Sequence, residues 1–182
     1  MLRSSPAPDG EVDAHALPGA LEILEETLLV HRATAFASSD RRRLLRHPRY
    51  FFFDNGVLNG LLGNFAVSPD RIGLLFEHFF FGQLRALAAA RDVDVPVSSY
   101  RTEHGAEVDF IVEPQGKLWA IECKASRQVG PSDLRGLRSF AETAKRRHRA
   151  VVAYLGDAPR AIDGVEVLPW QQVLAEIGAA LD

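Results

Sequence analysis

Side chains that together could hold a divalent cation lie in two neighbouring segments of the chain, EVDFIV and WAIECK. Asp109 belongs to the first segment, and Glu122 and Lys124 belong to the second. The dipeptide Gln115-Gly116 between them is a turn signal of the kind that joins two antiparallel strands. If this dipeptide forms a two-residue loop, counting back from the loop places Asp109 directly opposite Glu122.

Side chains alternate between the two faces of a strand, so this register predicts one charged and one apolar face. The charged face carries Glu107, Asp109, Glu122 and Lys124. The apolar face carries Val108, Phe110, Val112, Trp119, Ile121 and Cys123. Carboxylates directly opposite one another are about 5 Å apart and repel. A hard cation such as Mg²⁺ removes the repulsion because it prefers oxygen ligands. A slip of one residue in the register would break these pairs.

A third carboxylate is predicted to reach the same place from a helix. Glu77 lies within an apolar helical segment from residue 68 to about residue 91. A carboxylate there is unfavourable unless it is paired or binds a metal. The alternative to a metal is a structural salt bridge with Arg101 or Arg85. The helix is expected to pack on the charged face of the hairpin, with Leu74, Phe80, Phe81 and Leu84 facing the sheet, so that Glu77 reaches the same ion.

Apolar periodicity and turn signals predict the elements that position these side chains. Residues 1–18 are predicted to be a flexible lead-in, and residues 19–182 a single domain. Helices are predicted over residues 20–31, 57–62, 68–91, 131–147 and 170–181. Strands are predicted over residues 50–53, 97–101, 107–113, 117–124, 150–155 and 165–168. The order α-β-β-β-α-β from residue 68 onwards predicts an α/β (α+β) fold, with a mixed central sheet flanked by helices.

The composition excludes several classes of protein. A length of 182 residues and a hydrophobic content of 47% suit one domain with a real core. The net charge of −3 means that any nucleic-acid surface must be a local patch. Cys123 is the single cysteine, so no intrachain disulfide is possible, and a small buried hydrophobe is favoured over a catalytic thiol. Without a membrane span or signal peptide, a cytoplasmic location is expected.

Two levels of resemblance follow from these segments. The EVDFIV and IECK segments, with Glu77 upstream, resemble the PD-(D/E)xK nuclease superfamily in their D-x12-E-x-K spacing and order of elements. The segments HPRYFFFDNGVLNGLLGN, GLLFEHFFFGQL, SYRTEHGAEVDFIV and WAIECKAS further resemble the uncharacterised C-terminal domain of a large family of prokaryotic AAA+ ATPases. The triplet alone is a weak signal, whereas the ordered set of four segments is specific.

The resemblance implies a restriction-endonuclease-like core that cleaves DNA with Mg²⁺ or Mn²⁺. It implies that Asp109, Glu122 and the backbone carbonyl of Cys123 bind the metal. Glu77 would complete the metal site or orient water, and Lys124 would position or activate the attacking water. DNA and an AAA+ ATPase are the implied partners. The chain has no G-x-x-x-x-G-K-[ST] motif, so it is not expected to hydrolyse ATP by itself.

Other interpretations of the same residues remain open. The domain could be a non-catalytic module that binds DNA or docks on an ATPase, or a dimerisation domain that exposes residues 79–81. The basic runs at residues 41–49 and 145–149 are either phosphate contacts or ordinary solvated faces. Arg101 is expected to pair with the acidic cluster, with a phosphate contact as the alternative. Glu107 is expected to be a solvated partner of Lys124 in preference to a metal ligand.

Overall fold

A computed structural model of the protein describes residues 17–36 and 47–182. The helices are α1 (Leu17–Glu26), α2 (Asn55–Leu61), α3 (Ile72–Ala89), α4 (Arg135–Ala144) and α5 (Trp170–Ala179). The strands are β1 (Val30–Ala35), β2 (Arg49–Phe52), β3 (Val97–Arg101), β4 (Glu107–Val112), β5 (Leu118–Lys124), β6 (His148–Tyr154), β7 (Arg160–Ile162) and β8 (Val165–Pro169). Short 3-10 turns occur at Pro114–Gly116 and Pro131–Leu134. Within these residues, no helix is long and apolar enough to cross a membrane.

The strands of the described residues form one mixed sheet of eight, in the order β2-β1-β3-β4-β5-β6-β8-β7. Strand β1 runs parallel to β3, β5 to β6 and β6 to β8, and the other neighbours are antiparallel. The β4–β5 hairpin therefore lies at the centre of the sheet, where its strands are buried on both faces. The predicted mixed sheet flanked by helices is confirmed.

Helices cover both faces of the sheet. On one face, α3 and α5 contribute Phe80, Leu84 and Ile177 to a core that includes the apolar side of the hairpin. On the other face, α4 contributes Leu137 and Phe140 to a second core. These side chains are at most 1% exposed, so the hydrophobic effect fixes α3 and α4 against opposite sides of β4 and β5. The two helices thereby hold the polar end of the hairpin between them.

The hairpin turn has the predicted two-residue form. The backbone N–H of Lys117 donates to the carbonyl of Pro114 at 3.0 Å. Gln115 and Gly116 both have positive φ angles, of 47° and 77°, as a tight hairpin turn with right-handed strand twist requires. Phe110 pairs with Ile121 and Val112 with Trp119. These pairs have the predicted register. The ladder ends at Phe110 and Ile121, so Asp109 and Glu122 lie one residue beyond its last pair.

A β-bulge at Asp109 departs from the prediction. Ser98 pairs with Ile111 and Tyr100 with Val108, so Ser99 alone spans the stretch occupied by two residues of β4. An extra residue on one strand interrupts the alternation of its side chains. Val108 consequently packs in the core beneath α4, whereas strict alternation predicts that it shares a face with Phe110. Helix α3 packs on the apolar face of the hairpin, so the prediction that it packs on the charged face is wrong.

Other differences concern the edges of elements. The helix predicted over residues 20–31 ends at Glu26, and Val30 begins a strand that is paired on both sides. Helix α3 begins at Ile72, because the backbone N–H groups of residues 71 and 72 bond back to the Ser68 carbonyl in a turn. Strand β7 was not predicted. Of the predicted lead-in, residues 1–16 lie outside the described residues and residues 17–18 belong to α1.

Candidate metal centre

An arginine joins two of the predicted carboxylates where β2, α3 and β4 meet. Arg49, the first residue of β2, donates from Nη1 to Asp109 Oδ1 at 3.1 Å. Its Nη2 donates to Glu77 Oε2 in a short ion pair. The other oxygen of Asp109, Oδ2, accepts the backbone N–H of Cys123 at 2.8 Å. Asp109 therefore links the bulged strand β4 to both β2 and β5, and the predicted helical carboxylate does lie beside it.

The second half of the site lies at the end of β5. Lys124 Nζ lies 3.0 Å from Glu122 Oε1 and 3.9 Å from Asp133 Oδ1. The other oxygen of Glu122, Oε2, is buried and has no hydrogen-bond partner among the described residues. Burying a carboxylate oxygen without a partner is unfavourable. This orphaned atom therefore marks a place where a cation or an ordered water would be stabilised.

Burial makes all three carboxylates hold their protons more tightly than usual. Desolvation, followed by the charge of Asp109, raises the pKa of Glu122 to about 8 and that of Glu77 to about 7. Desolvation also raises the pKa of Asp109. The positive charges of Lys124 and Arg49 act in the opposite direction on these pKa values without cancelling the burial. The nearby side chains thus neutralise the cluster only in part.

The ion pairs differ from the predicted ones. Glu77 pairs with Arg49, so the predicted alternatives, Arg101 and Arg85, are wrong; Arg85 instead lies 3.6 Å from Asp94. Glu107 is exposed and lies 3.5 Å from Arg101. It does not pair with Lys124 as predicted: the ladder between β4 and β5 has no pair beyond Phe110 and Ile121, and Lys124 pairs with Glu122 and Asp133. The expected pairing of Arg101 with the acidic cluster is therefore found at the outer edge of the cluster.

The set of α3 side chains predicted to face the sheet agrees with the structure except at one position. Phe80 and Phe81 are 0% and 1% exposed, and Leu84 is also fully buried. Leu74 is 41% exposed and does not face the sheet. Phe79 is 37% exposed and packs edge-on against Trp170, with ring centroids 5.0 Å apart. Burial of the central phenylalanines within the monomer argues against the dimerisation alternative.

Cys123 contributes its backbone to the site, and its side chain packs in the core. The Sγ side lies in the apolar cluster beneath α3. Desolvation raises the pKa of the thiol well above its usual value, so the group stays neutral and is a poor metal ligand. The interpretation of Cys123 as a small buried hydrophobe agrees with this environment.

Sequence reasoning missed two members of the site, Arg49 and Asp133. The sequence places Arg49 in the basic run before β2. Its position directly before an aromatic strand is the one signal that could have separated it from that run. Its guanidinium carbon lies 5.1 Å from the centre of the Phe51 ring, within the range of a cation–π interaction. The sequence predicts that Asp133 belongs to the start of a helix. In agreement, its Oδ2 accepts the backbone N–H of Gly130 at 2.8 Å. Residues 41–46 of the basic run lie outside the described residues.

The donor atoms suit a hard cation, but they do not form a complete coordination shell. Among residues 17–36 and 47–182, no group of three or more His, Cys, Asp or Glu side chains is arranged to hold a metal ion. The available donors are carboxylate oxygens, and Mg²⁺ uses one or two of these together with several waters. The orphaned Glu122 Oε2 fits such an ion. The Arg49 guanidinium is bonded to one oxygen of Asp109 and one of Glu77. Coordination of an ion by these oxygens therefore requires the Arg49 side chain to move.

A small pocket of about 120 Å³ adjoins the arginine side of the site. Its lining includes Arg49, Arg101 and Glu107, together with Ser99 and Tyr100 of β3. At roughly 30 Å³ per water molecule, this volume corresponds to about four waters. The pocket therefore gives the Arg49 guanidinium room beside the carboxylates.

Comparisons with known proteins give a family without an assigned activity. A family model described as "Domain of unknown function (DUF4143)" matches residues 72–173. Uncharacterised proteins of Mycobacterium bovis and Mycobacterium tuberculosis are each 31% identical over 159 residues, which is 85% of this chain and 34% of the relative. The chain thus spans about a third of the length of these curated relatives. The matched family segment contains Glu77, Asp109, Glu122 and Lys124, whereas Arg49 precedes it.

Proposed function

The chain belongs to the DUF4143 family, and we propose that it is a metal-dependent nuclease domain of the PD-(D/E)xK type, which hydrolyses phosphodiester bonds in DNA. The observation that carries the proposal is the meeting of Glu77, Asp109 and Glu122 at one end of the central hairpin, with a buried, unpartnered Glu122 oxygen and a lysine beside it. Such a cluster is unfavourable for stability alone, because burial raises the pKa of each carboxyl group.

Mg²⁺ or Mn²⁺ is the cofactor that these oxygen donors suit. Asp109, Glu122 and the backbone carbonyl of Cys123 would hold it, and Glu77 would complete the site. When bound, the ion supplies Lewis-acid polarisation of the phosphate and a lowered pKa of a coordinated water. The chain's own contribution is to exclude bulk water from the buried Asp109 and Glu122 carboxylates, which strengthens every electrostatic interaction with them.

Lys124 is the residue proposed to act on the substrate. Its ammonium is oriented by two carboxyl groups, those of Glu122 and Asp133, and it remains partly exposed at the end of β5. Desolvation lowers the pKa of Lys124, but the charge and hydrogen bond of Glu122 and the charges of Asp133 and Asp109 together outweigh it, so the pKa is raised and the side chain stays cationic at neutral pH. From this position it would stabilise negative charge on the phosphate oxygens or hold the attacking water.

The architecture supports a restriction-endonuclease-like core. From α3 to β6 the elements follow the order α-β-β-β-α-β, and the hairpin that carries Asp109 and Glu122 is central in the sheet. DNA is the proposed substrate, and an AAA+ ATPase is the proposed partner, on the strength of the family resemblance. The aligned segment makes up 34% of the mycobacterial relatives, so those proteins have room for a further domain.

A non-catalytic DNA-binding or ATPase-docking module is the second candidate, and one observation favours it. Arg49 pairs with both Asp109 and Glu77, as expected of a structural ion-pair network. A second feature suits docking, since large apolar side chains are exposed on α2 and the segment after it. These are Leu61, Leu62, Phe65 and Val67.

A DNA cleavage assay with Mn²⁺ separates the two candidates. Wild-type protein is expected to cut plasmid DNA with Mn²⁺ and to leave it intact with EDTA. Lys124→Ala should lose at least 100-fold in rate, within the roughly 10²–10³-fold typical of removing a charge-stabilising group. Lys117→Ala is the matched control, because this exposed lysine lies in the hairpin turn away from the carboxylates. Absence of metal-dependent cutting, or equal activity of wild type and Lys124→Ala, would favour the non-catalytic module.

A further inference from the structure

We propose that Arg49 is a built-in counter-ion that competes with a divalent cation for Asp109 and Glu77, so that cation binding displaces its guanidinium from both carboxylates. The inference rests on the metal centre of the proposed function, and it assigns a role to a residue that precedes the matched family segment. It concerns which positive charge occupies the site, and it holds whether or not the domain cleaves DNA.

The position of the guanidinium is the first support. Its two terminal nitrogens bond to different carboxylates, Nη1 to Asp109 Oδ1 and Nη2 to Glu77 Oε2. A cation shared by these two oxygens would have to lie between them, where the planar fork of the arginine now lies. Bound arginine and a bridging cation are therefore alternatives on steric and electrostatic grounds.

The charge balance is the second support. In the deprotonated form that binds a cation, Glu77, Asp109 and Glu122 carry three negative charges, and Arg49 and Lys124 supply two positive ones. One negative charge remains, and the buried Glu122 Oε2 has no partner in the described part of the chain. Replacing one guanidinium by a divalent ion neutralises the remainder. At equal distance it also doubles the Coulomb attraction to each carboxylate.

The ability of Arg49 to leave is the third support. It is the first residue of β2, which is an outer strand of the sheet. Its side chain is 32% exposed, against 6% for that of Asp109. The adjoining pocket of about 120 Å³ is lined by Arg49 and Arg101. The guanidinium can therefore turn out of the cluster while the carboxylates stay in place.

Isothermal titration with Mn²⁺, without DNA, measures this competition directly. Arg49→Gln removes the competing charge and keeps a polar side chain, so its Kd for Mn²⁺ is expected to fall about tenfold relative to wild type. Arg101→Gln is the matched control: it removes a nearby positive charge whose ion-pair partner is the exposed Glu107, and it should leave Kd within about twofold. A Kd that is unchanged or higher in Arg49→Gln would overturn the inference, because an arginine that only holds the carboxylates in place would give that result.

Two further variants keep the interpretation unambiguous. Arg49→Lys retains the charge but lacks the fork that bridges two carboxylates, so its Kd should fall between those of wild type and Arg49→Gln. If thermal melting shows that Arg49→Gln is unfolded, Arg49→Lys takes its place in the test. A Kd of Arg49→Lys equal to that of wild type would then overturn the inference. Asp109→Asn reports on the centre itself. If Asp109→Asn loses Mn²⁺ binding while Arg49→Gln gains none, the metal centre stands and the role of Arg49 alone is wrong. If Asp109→Asn binds Mn²⁺ like wild type, or no protein binds it, both fail.

Discussion

Replacing Glu122 with glutamine measures what the buried carboxylate costs the metal-free protein. Glutamine has nearly the shape of a protonated glutamate and carries no charge, so it mimics the neutral form of this side chain. Glu122 lies at the end of a fully buried stretch of β5, with one oxygen bonded to Lys124 and the other without a partner in the described residues. The substitution therefore removes an ionisable group while it leaves the surrounding packing intact.

The sign and size of the effect follow from the pKa. Burial raises the pKa of Glu122 from 4.5 in the unfolded chain to about 8 in the folded protein. Between these values the folded state binds the proton more tightly, so the free energy of unfolding decreases as pH rises. Below pH 4.5 both states are protonated and the penalty is absent; above pH 8 it is complete. One pKa unit corresponds to about 1.4 kcal/mol, so the full penalty is on the order of 5 kcal/mol.

Urea unfolding with EDTA, at pH 5 and at pH 8.5, provides the assay. At pH 5, wild type and Glu122→Gln should have similar free energies of unfolding. At pH 8.5, Glu122→Gln should be the more stable protein by several kcal/mol, since only wild type must carry the buried charge. Comparing the variants at each pH cancels the titration of groups that both proteins share. Parallel pH profiles for the two proteins would refute the claim that the Glu122 carboxylate is destabilised by burial.

The remaining predictions concern the metal and the core. Mn²⁺ should raise the melting temperature of wild type by mass action, and Asp109→Asn should abolish that increase. An equal increase in the mutant would mean that the ion binds at another site. Glu77→Gln should weaken the Mn²⁺ response while it stabilises the metal-free protein at pH 8, because the pKa of Glu77 is about 7 and its charge is then present only in wild type. Paired melting curves with and without Mn²⁺ check both effects, and a metal-free variant less stable than wild type would contradict the second. Phe80→Ala should cost about 3–5 kcal/mol in urea unfolding, whereas Phe79→Ala, at a partly exposed position, should cost clearly less; equal losses would mean that the packing of α3 differs.

Local signals were sufficient to predict the centre of the fold. The turn dipeptide Gln115-Gly116 and the alternation of residues beside it gave the hairpin and its register, because both depend on residues close in sequence. The burial of Phe80 and Phe81 likewise followed from helical periodicity. Helical periodicity also placed Glu77 beside the hairpin, but it does not show which face of the hairpin the helix covers, and α3 packs on the apolar face in place of the predicted charged one.

Features that depend on distant strands were not predictable. The bulge at Asp109 arises from pairing with β3, which the alternation within β4 does not reveal. The predicted helix over residues 20–31 overlaps the first two residues of β1, and the rest of this strand was not predicted. Strand β1 is held extended by β2 and β3 on its two sides. Arg49 lies 28 residues from Glu77 and 60 from Asp109 along the chain. Its role is set by where β2 enters the sheet, and no local pattern specifies that.

Anomalous diffraction from crystals grown with Mn²⁺ tests the proposed metal centre most directly. The expected result is an anomalous peak within coordination distance of the Asp109 and Glu122 carboxylates, with the Arg49 guanidinium turned away from Asp109. Crystals of Asp109→Asn, grown in the same way, should lack the peak. A well-ordered site without manganese, in which Arg49 still bridges Asp109 and Glu77 at a high concentration of Mn²⁺, would contradict the proposal that this cluster is a metal centre.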